Sequence, residues 1–208
     1  MPDQKAVMIV QQGEKEPFPG DPGLTEWGRR QATAAGRWIS EQFSVNELWS
    51  SPLRRAVETA SEIAHWTGNV IRTDERLRER MNWEGPPAQP MDDFATEWHR
   101  SLADRSYIPL YGDSSSIAAE RFLSALAEMR SRATVSVGVS HGGVTVDALR
   151  TIIGDEVLVA ANPGIIDEGV PEGAITQLVW SEGQWEPKRI AATGHLATIS
   201  PANQNERE

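Results

Sequence analysis

The sequence contains no cysteine, which excludes disulfide cross-links and thiolate chemistry. Long apolar runs are missing as well. The longest near the start, Ala6 to Val10, is far shorter than a membrane span or a secretory leader needs, and a cytoplasmic location is the expectation. Positive charge is scarce: 20 Lys and Arg stand against 30 Asp and Glu, a net charge of −10. Nucleic-acid binding usually leaves a basic footprint, so neither nucleic acid nor a membrane is expected as a partner. Any pocket for an anion must be made positive locally, against an unfavourable overall field. There is no internal repeat, coiled coil or domain linker, and the glycine fingerprints of P-loop and dinucleotide sites are absent.

What is present suits one sizeable domain, residues 1–199, followed by a polar tail at 200–208 that reads as disordered. Of the 208 residues, 39% are hydrophobic and eight are tryptophan, enough to supply a core with large packing surfaces. Lys5 to Gln11 (KAVMIVQ) is a short β-type run ending at a Pro/Gly-rich loop. Leu24 to Phe43 reads as a helix whose inner face is Leu24, Trp27, Gln31, Ala35, Trp38 and Ile39. Glu47 to Ser51 is a second strand, and Pro52 is placed to start a helix with a stripe running from Leu53 to Ala64. Val70 to Arg72 is a third strand. Met91 to Asp104 and Ser115 to Arg132 are predicted helices, the second with Ile117, Phe122, Ala125, Leu126 and Met129 on its apolar face. Thr134 to Ser140 is a buried strand leading into His141-Gly142-Gly143 and a helix from Val144 to Ile153. Gly173 to Trp180 and Gln184 to Ala192 form a hairpin. Alternating strands and helices predict an α/β fold, a three-layer α/β/α sandwich around a mainly parallel sheet.

Three polar segments share a location in that fold. Gln11-Gln12-Gly13, Ser50-Ser51 and Ser140-His141-Gly142 each follow a predicted strand, and open α/β sheets bind ligands outside the carboxyl ends of their strands. Two of these turns lead into helices, at Pro52 and near Gly143, where free backbone N–H groups favour an anion.

The residues around them sharpen the picture. Residues 24–32 read LTEWGRRQA, 51–60 SPLRRAVETA, 77–85 LRERMNWEG and 137–143 VGVSHGG. Together, and with the closing GHL at Gly194 to Leu196, they resemble the successive motifs of the histidine phosphatase superfamily, phosphoglycerate mutase-like proteins, over roughly residues 5–196. The resemblance implies a phosphate pocket with no cofactor and no metal. Its ligand would be a small-molecule phosphoester or a phosphate-like anion. In that family a strand-end Arg-His-Gly supplies the nucleophilic histidine that becomes phosphohistidine. By resemblance, Arg55 clamps phosphate, Glu79 gives a proton to the leaving group, and His141 holds the transferring phosphoryl group. Thr25 supports the pocket through its hydroxyl, and Gly13 and Gly142 let the backbone approach the ligand. The guanidinium fork of Arg55 matches phosphate oxygens. Glu79 would have to hold its proton beside a dianion, which burial favours.

The departure is at Gln11-Gln12-Gly13, where the family has Arg-His-Gly. An amide nitrogen has its lone pair delocalised into the carbonyl, so Gln12 cannot form a phosphoenzyme. Loss of a nucleophile has cost on the order of a millionfold in another hydrolase. Gln11 removes a permanent cation, which Lys15 replaces only as a point charge. Three explanations stay open: a non-catalytic relative that binds its ligand, a pocket reused with His141 and Glu79 as acid and base, or Gln12 as an engineered replacement of a native histidine.

Plainer readings stand beside these. Arg54 reads as a surface residue, and Glu79 lies in a charged run (DERLRER) whose usual explanation is a solvated face. His65, His99 and His195 lack metal-ligand spacing and read as structural or exposed. Trp83 and Trp98 flank a Pro-rich loop able to cover a pocket. A competing enzyme class also fits one segment: Gly138 to Gly142 satisfies G-x-S-x-G, with Ser140 as an esterase nucleophile and Asp167 and His195 following in order.

Overall fold

Strand β1 (Lys5–Gln11) is apolar on both faces and lies inside a six-stranded sheet of order β3-β2-β4-β1-β5-β6. The computed structural model describes residues 5–199; the polar tail from Ser200 lies outside them. β1 pairs in parallel with β4 (Val135–Ser140) and antiparallel with β5 (Ile175–Ser181). β2 (Glu47–Ser50) and β3 (Ile71–Thr73) extend the parallel side, and β6 (Gln184–Ala192) closes the antiparallel side.

Side chains alternate across the sheet, so each strand feeds two cores. Met8, Val10 and Leu48 pack with Ala35 and Ile39 of α1 (Glu26–Gln42) and with Ala56, Ala60 and Ile63 of α2 (Arg54–Thr67). Val7, Ile9 and Trp49 face the opposite way. They pack with Phe122, Leu126 and Met129 of α4 (Ser115–Arg132) and with Val144, Val146 and Leu149 of α5 (Gly142–Ile153). A mixed, mainly parallel sheet between two helical layers is the α/β architecture expected. α3 (Met91–Ala103) and the loops around it lie beyond the strand ends, over the polar segments.

Several details differ from the sequence reading. α1 turns Gly28, Gln31, Ala32, Ala35, Gly36 and Ile39 inward, while Trp27 and Trp38 are only half-buried. The reason is close approach: a Cβ on Gly36 would lie 2.9 Å from the Cα of Ile63, so the α1–α2 seam admits only small side chains. α2 starts at Arg54, not Pro52, because Ser51 N–H still bonds Val139 C=O at 2.9 Å and Leu53 stays extended. Ile117 in the first turn of α4 is 44% exposed rather than part of its buried face. Two short helices, α6 (Asp155–Ala161) and α7 (Ile165–Glu168), were not predicted; neither is long enough to display a period. The β5–β6 turn at Glu182-Gly183 has φ of 51° and 85°, the left-handed pair that matches strand twist. None of the described helices is long and apolar enough to cross a membrane.

Candidate functional site

The ends of β1, β4 and β2 are adjacent in the sheet, and this brings the three polar segments together. Gln11 pairs with Ser140 and Ser50 with Val139, and Gln12 N–H donates to Ser140 C=O at 3.0 Å. Above them lies a cavity of about 380 Å³ whose lining includes Gln12, Arg55, Glu79 and His141. These four side chains, one just past the end of β1, one from α2, one from the 79–80 segment and one just past the end of β4, therefore share one hollow.

His141 is 1% exposed, and its Nε2 lies 2.7 Å from Ser51 Oγ. Ser51 Oγ also accepts the Leu53 N–H at 3.3 Å. The other ring nitrogen, Nδ1, has no partner among the described residues. Burial, reinforced by the Arg55 and Arg121 charges, pushes the His141 pKa well below the usual 6.5, so the ring is neutral. Arg55 is 4% exposed; Nη2 donates to Asn82 Oδ1 at 3.3 Å, while Nε and Nη1 have no hydrogen-bond partner among the described residues. Burial lowers its pKa and the nearby Glu79, Asp21 and Glu84 raise it, with burial the larger effect. Gln12 Oε1 is likewise buried without a partner. Lys15 lines the same cavity, its pKa lowered by burial and then by Arg55. An acidic protein has thus gathered Arg55, Lys15 and His141 on one cavity, with Asp21 3.8 Å from Arg55 Nη1.

The backbone donors expected at the two helix starts are already occupied. At α5, Glu79 accepts Gly143 N–H (2.9 Å) and Val144 N–H (2.8 Å), and also Arg80 N–H (2.8 Å). At α2, Asp21 Oδ1 accepts Arg54 N–H at 2.8 Å. Acidic side chains of the chain itself cap both helices. The side chains Arg55 and His141, not helix N-termini, are left to meet a ligand. Gly143 is required for the Glu79 contact: a Cβ there would fall 2.5 Å from Trp98 and 2.8 Å from Glu79 Oε1.

Other expected site residues lie elsewhere. Gln11 points to the opposite side from Gln12, as consecutive strand residues do. With Gly142 it lines a neighbouring cavity of about 350 Å³, separated by Glu79 and Trp98, which border both. Thr25 is not on either lining; it caps α1 by accepting Gly28 N–H at 3.0 Å and donates to Glu14 Oε1 at 2.7 Å. Gly13 N–H bonds Thr59 Oγ1 at 3.1 Å, and a Cβ on Gly13 would meet Gly28 C=O at 2.3 Å, so Gly13 serves loop packing. His99, read as structural or exposed, is exposed and borders the 380 Å³ cavity. Ser51 belongs to the Ser50-Ser51 segment expected here, whereas Thr59 and Asn82 lie inside quoted motifs without being singled out, because a hydroxyl or amide of this kind carries no signal without its partner.

The esterase reading is overturned. Ser140 is fully buried in β4 and donates to Leu77 C=O at 2.7 Å, while His195 bonds Gly173 C=O at 2.9 Å beside Trp38. No nucleophile–base pair forms between Ser140 and His195.

Parallel strands that end in a phosphatase-like ring of Arg, His and Glu define a class, and comparison with known proteins agrees. Residues 13–193 match the histidine phosphatase superfamily (branch 1), and the chain belongs to that family. The match starts directly after Gln11-Gln12. A glucosyl-3-phosphoglycerate phosphatase of Mycobacterium tuberculosis is 34% identical over 115 residues, 52% of this chain and 50% of that protein. The chain thus aligns with about half the length of that relative. Phosphoglycerate mutase-like protein 4 of Arabidopsis thaliana is 29% identical over 157 residues, 68% of each chain. A mycobacterial glucosyl-3-phosphoglycerate phosphatase solved with inorganic phosphate superposes with a TM-score of 0.73 at 26% identity, covering 92% of this chain and 99% of that one.

Proposed function

We propose that the chain binds a phosphorylated small molecule, or a phosphate-like anion, in the hollow of Gln12, Arg55 and His141, and that phosphoester hydrolysis through a phosphohistidine is lost or strongly impaired. The observation that carries this is that Gln12 lines that hollow together with Arg55, whose Nε has no hydrogen-bond partner and whose Nη1 meets Asp21 only at 3.8 Å, and with His141, whose Nδ1 has no partner among the described residues. Buried polar atoms left unpaired are costly, and a ligand that reaches them relieves the cost. The Arg55 guanidinium suits an oxyanion, and neutral His141 adds a ring N–H in its Nδ1-protonated tautomer. Gln12 offers no basic lone pair for attack on phosphorus. The mycobacterial relative, solved with inorganic phosphate and with VO3, supports the choice of anion.

The test is titration of the chain with phosphate and vanadate, alongside Gln12→His with and without Gln11→Arg in a phosphomonoesterase assay. The chain as it stands should bind vanadate saturably and turn over no phosphoester, and Arg55→Ala should weaken binding. Gln12→His should gain turnover. Rapid hydrolysis by the unaltered chain, or no binding and no thermal shift with either anion, would refute the reading.

A further inference from the structure

Beyond its anion-binding floor, the 380 Å³ cavity has walls that need a ligand of their own kind. We infer that the bound phosphoester carries a flat aromatic or otherwise apolar alcohol group, not a polyol or sugar; this rests on the anion reading above. Met81, Trp83, Met91, Phe94 and Trp98 form the walls over Arg55 and His141, with Phe18 at the rim. The volume falls within the range of about 300–1,000 Å³ typical of small-molecule sites, and phosphate alone would leave most of it unfilled.

The walls are held as flat apolar surfaces. Trp98 has the Arg80 guanidinium stacked 4.0 Å from its ring centre, its edge seated against Gly143, and Phe94 tilted beside it at 6.1 Å. Trp83 donates its indole N–H to Gln89 C=O at 2.9 Å, so only its ring is offered to the cavity. Asn82 is also committed: Oδ1 accepts from Arg55, and Nδ2 donates to Gly20 C=O and Glu84 Oε1, both at 2.8 Å. Beyond Gln12 and Arg55, which the anion would engage, a sugar would bring several hydroxyls against walls where Lys15 and His99 are the main polar groups not so committed, and hydroxyls buried without partners weaken binding. An aromatic group would instead cover Phe18 and Met91, which stand 62% and 49% exposed at the mouth.

Four ligands separate the possibilities in calorimetric titrations of the unaltered chain: inorganic phosphate, phenyl phosphate, naphthyl phosphate and a hexose phosphate. Naphthyl phosphate should bind at least about tenfold more tightly than the hexose phosphate, with phenyl phosphate between them, as burial of ring surface requires. Tryptophan fluorescence should change with the aryl ligands. Met91→Ser should narrow the ratio of naphthyl to inorganic phosphate affinity, and unchanged circular dichroism would show that the variant is folded. If phosphate binds but the aryl esters gain nothing over the hexose phosphate, the apolar-ligand inference is wrong and the anion reading stands. If none of the four binds, both fall.

Discussion

Behind the cavity, Arg80 and Asp147 form an ion pair from which water is fully excluded, and its removal has a calculable cost. Both side chains are 0% exposed; Arg80 Nη1 lies 2.8 and 2.9 Å from the two Asp147 oxygens, and Ser115 Oγ donates to Oδ1 at 2.6 Å. Arg80 Nε and Nη2 have no partner among the described residues, so Asp147 is the main compensation for that charge. Burial raises the Asp147 pKa even with Arg80 beside it, which marks desolvation as the dominant effect. Asp147→Asn strands a buried guanidinium and should cost about 3–5 kcal/mol. At about 2–4 °C per kcal/mol for a domain of this size, the melting temperature should fall by about 6–20 °C. The double variant Arg80→Met/Asp147→Leu removes both charges and keeps the volume apolar, so it should recover most of the loss. Urea and thermal unfolding of the parent, the single and the double variants measure this directly. A loss below about 1 kcal/mol in Asp147→Asn, or a double variant no better than the single, would refute the account.

Two further predictions concern charge. Glu79→Gln should cost about 1 kcal/mol of stability through the weakened α5 cap, yet vanadate should bind more tightly, because a negative charge leaves the cavity lining. For an anion roughly 8 Å from the carboxylate at an effective dielectric of about 20, the gain is about 2 kcal/mol at most, and weaker vanadate binding by calorimetry would contradict it. The second concerns pH. Burial holds the folded-state pKa of both His141 and His195 below 6.5, so below that pH the unfolded chain takes up protons that the native state refuses. Stability should therefore be full above about pH 6.5 and fall as pH drops from there, by at most about 1.4 kcal/mol per pH unit for each histidine. His141→Gln should flatten that slope in urea midpoints measured between about pH 6.5 and 5.5; an unchanged slope would exclude His141 as its source.

The architecture was readable because the strands repeat every two residues and the long helices every 3.6, and both patterns survive in a buried sheet. β1 and α4 were placed to the residue, and β4 and the β5–β6 hairpin to within two. Boundaries slipped where a tertiary bond outranked local preference, as at Pro52, where sheet pairing of Ser51 delays α2. The α1 face was misjudged because hydrophobicity favours Trp27 and Trp38, whereas the seam with α2 is decided by volume. The convergence of Gln12, Arg55, Glu79 and His141 was legible through motif order and strand ends. What those groups do to one another was not. That Glu79 caps α5, that Asp21 caps α2 and that Ser51 bonds His141 are pairings between residues 33 to 90 apart in sequence. No pattern within any one segment encodes them.

These pairings change what the pocket can ask of a ligand. With Gln11 and Gln12 neutral, the permanent cation facing the hollow is Arg55, and Glu79, Asp21 and Glu84 all act on it. Lys15 adds a second charge whose pKa burial and Arg55 both lower. Carboxylates thus surround the cations of the hollow, unlike a site built to hold a phosphate dianion by charge alone. On the proposed reading, oxyanion recognition would fall to hydrogen-bond geometry at Arg55 and His141, which orients a ligand more than it attracts one. The remaining affinity must come from surface removed from water, and in this cavity that surface is Trp83, Trp98 and their apolar neighbours. It follows that salt should weaken aryl phosphate binding only modestly, whereas truncating the aromatic walls should weaken it strongly. A site dominated by long-range charge would behave the other way round.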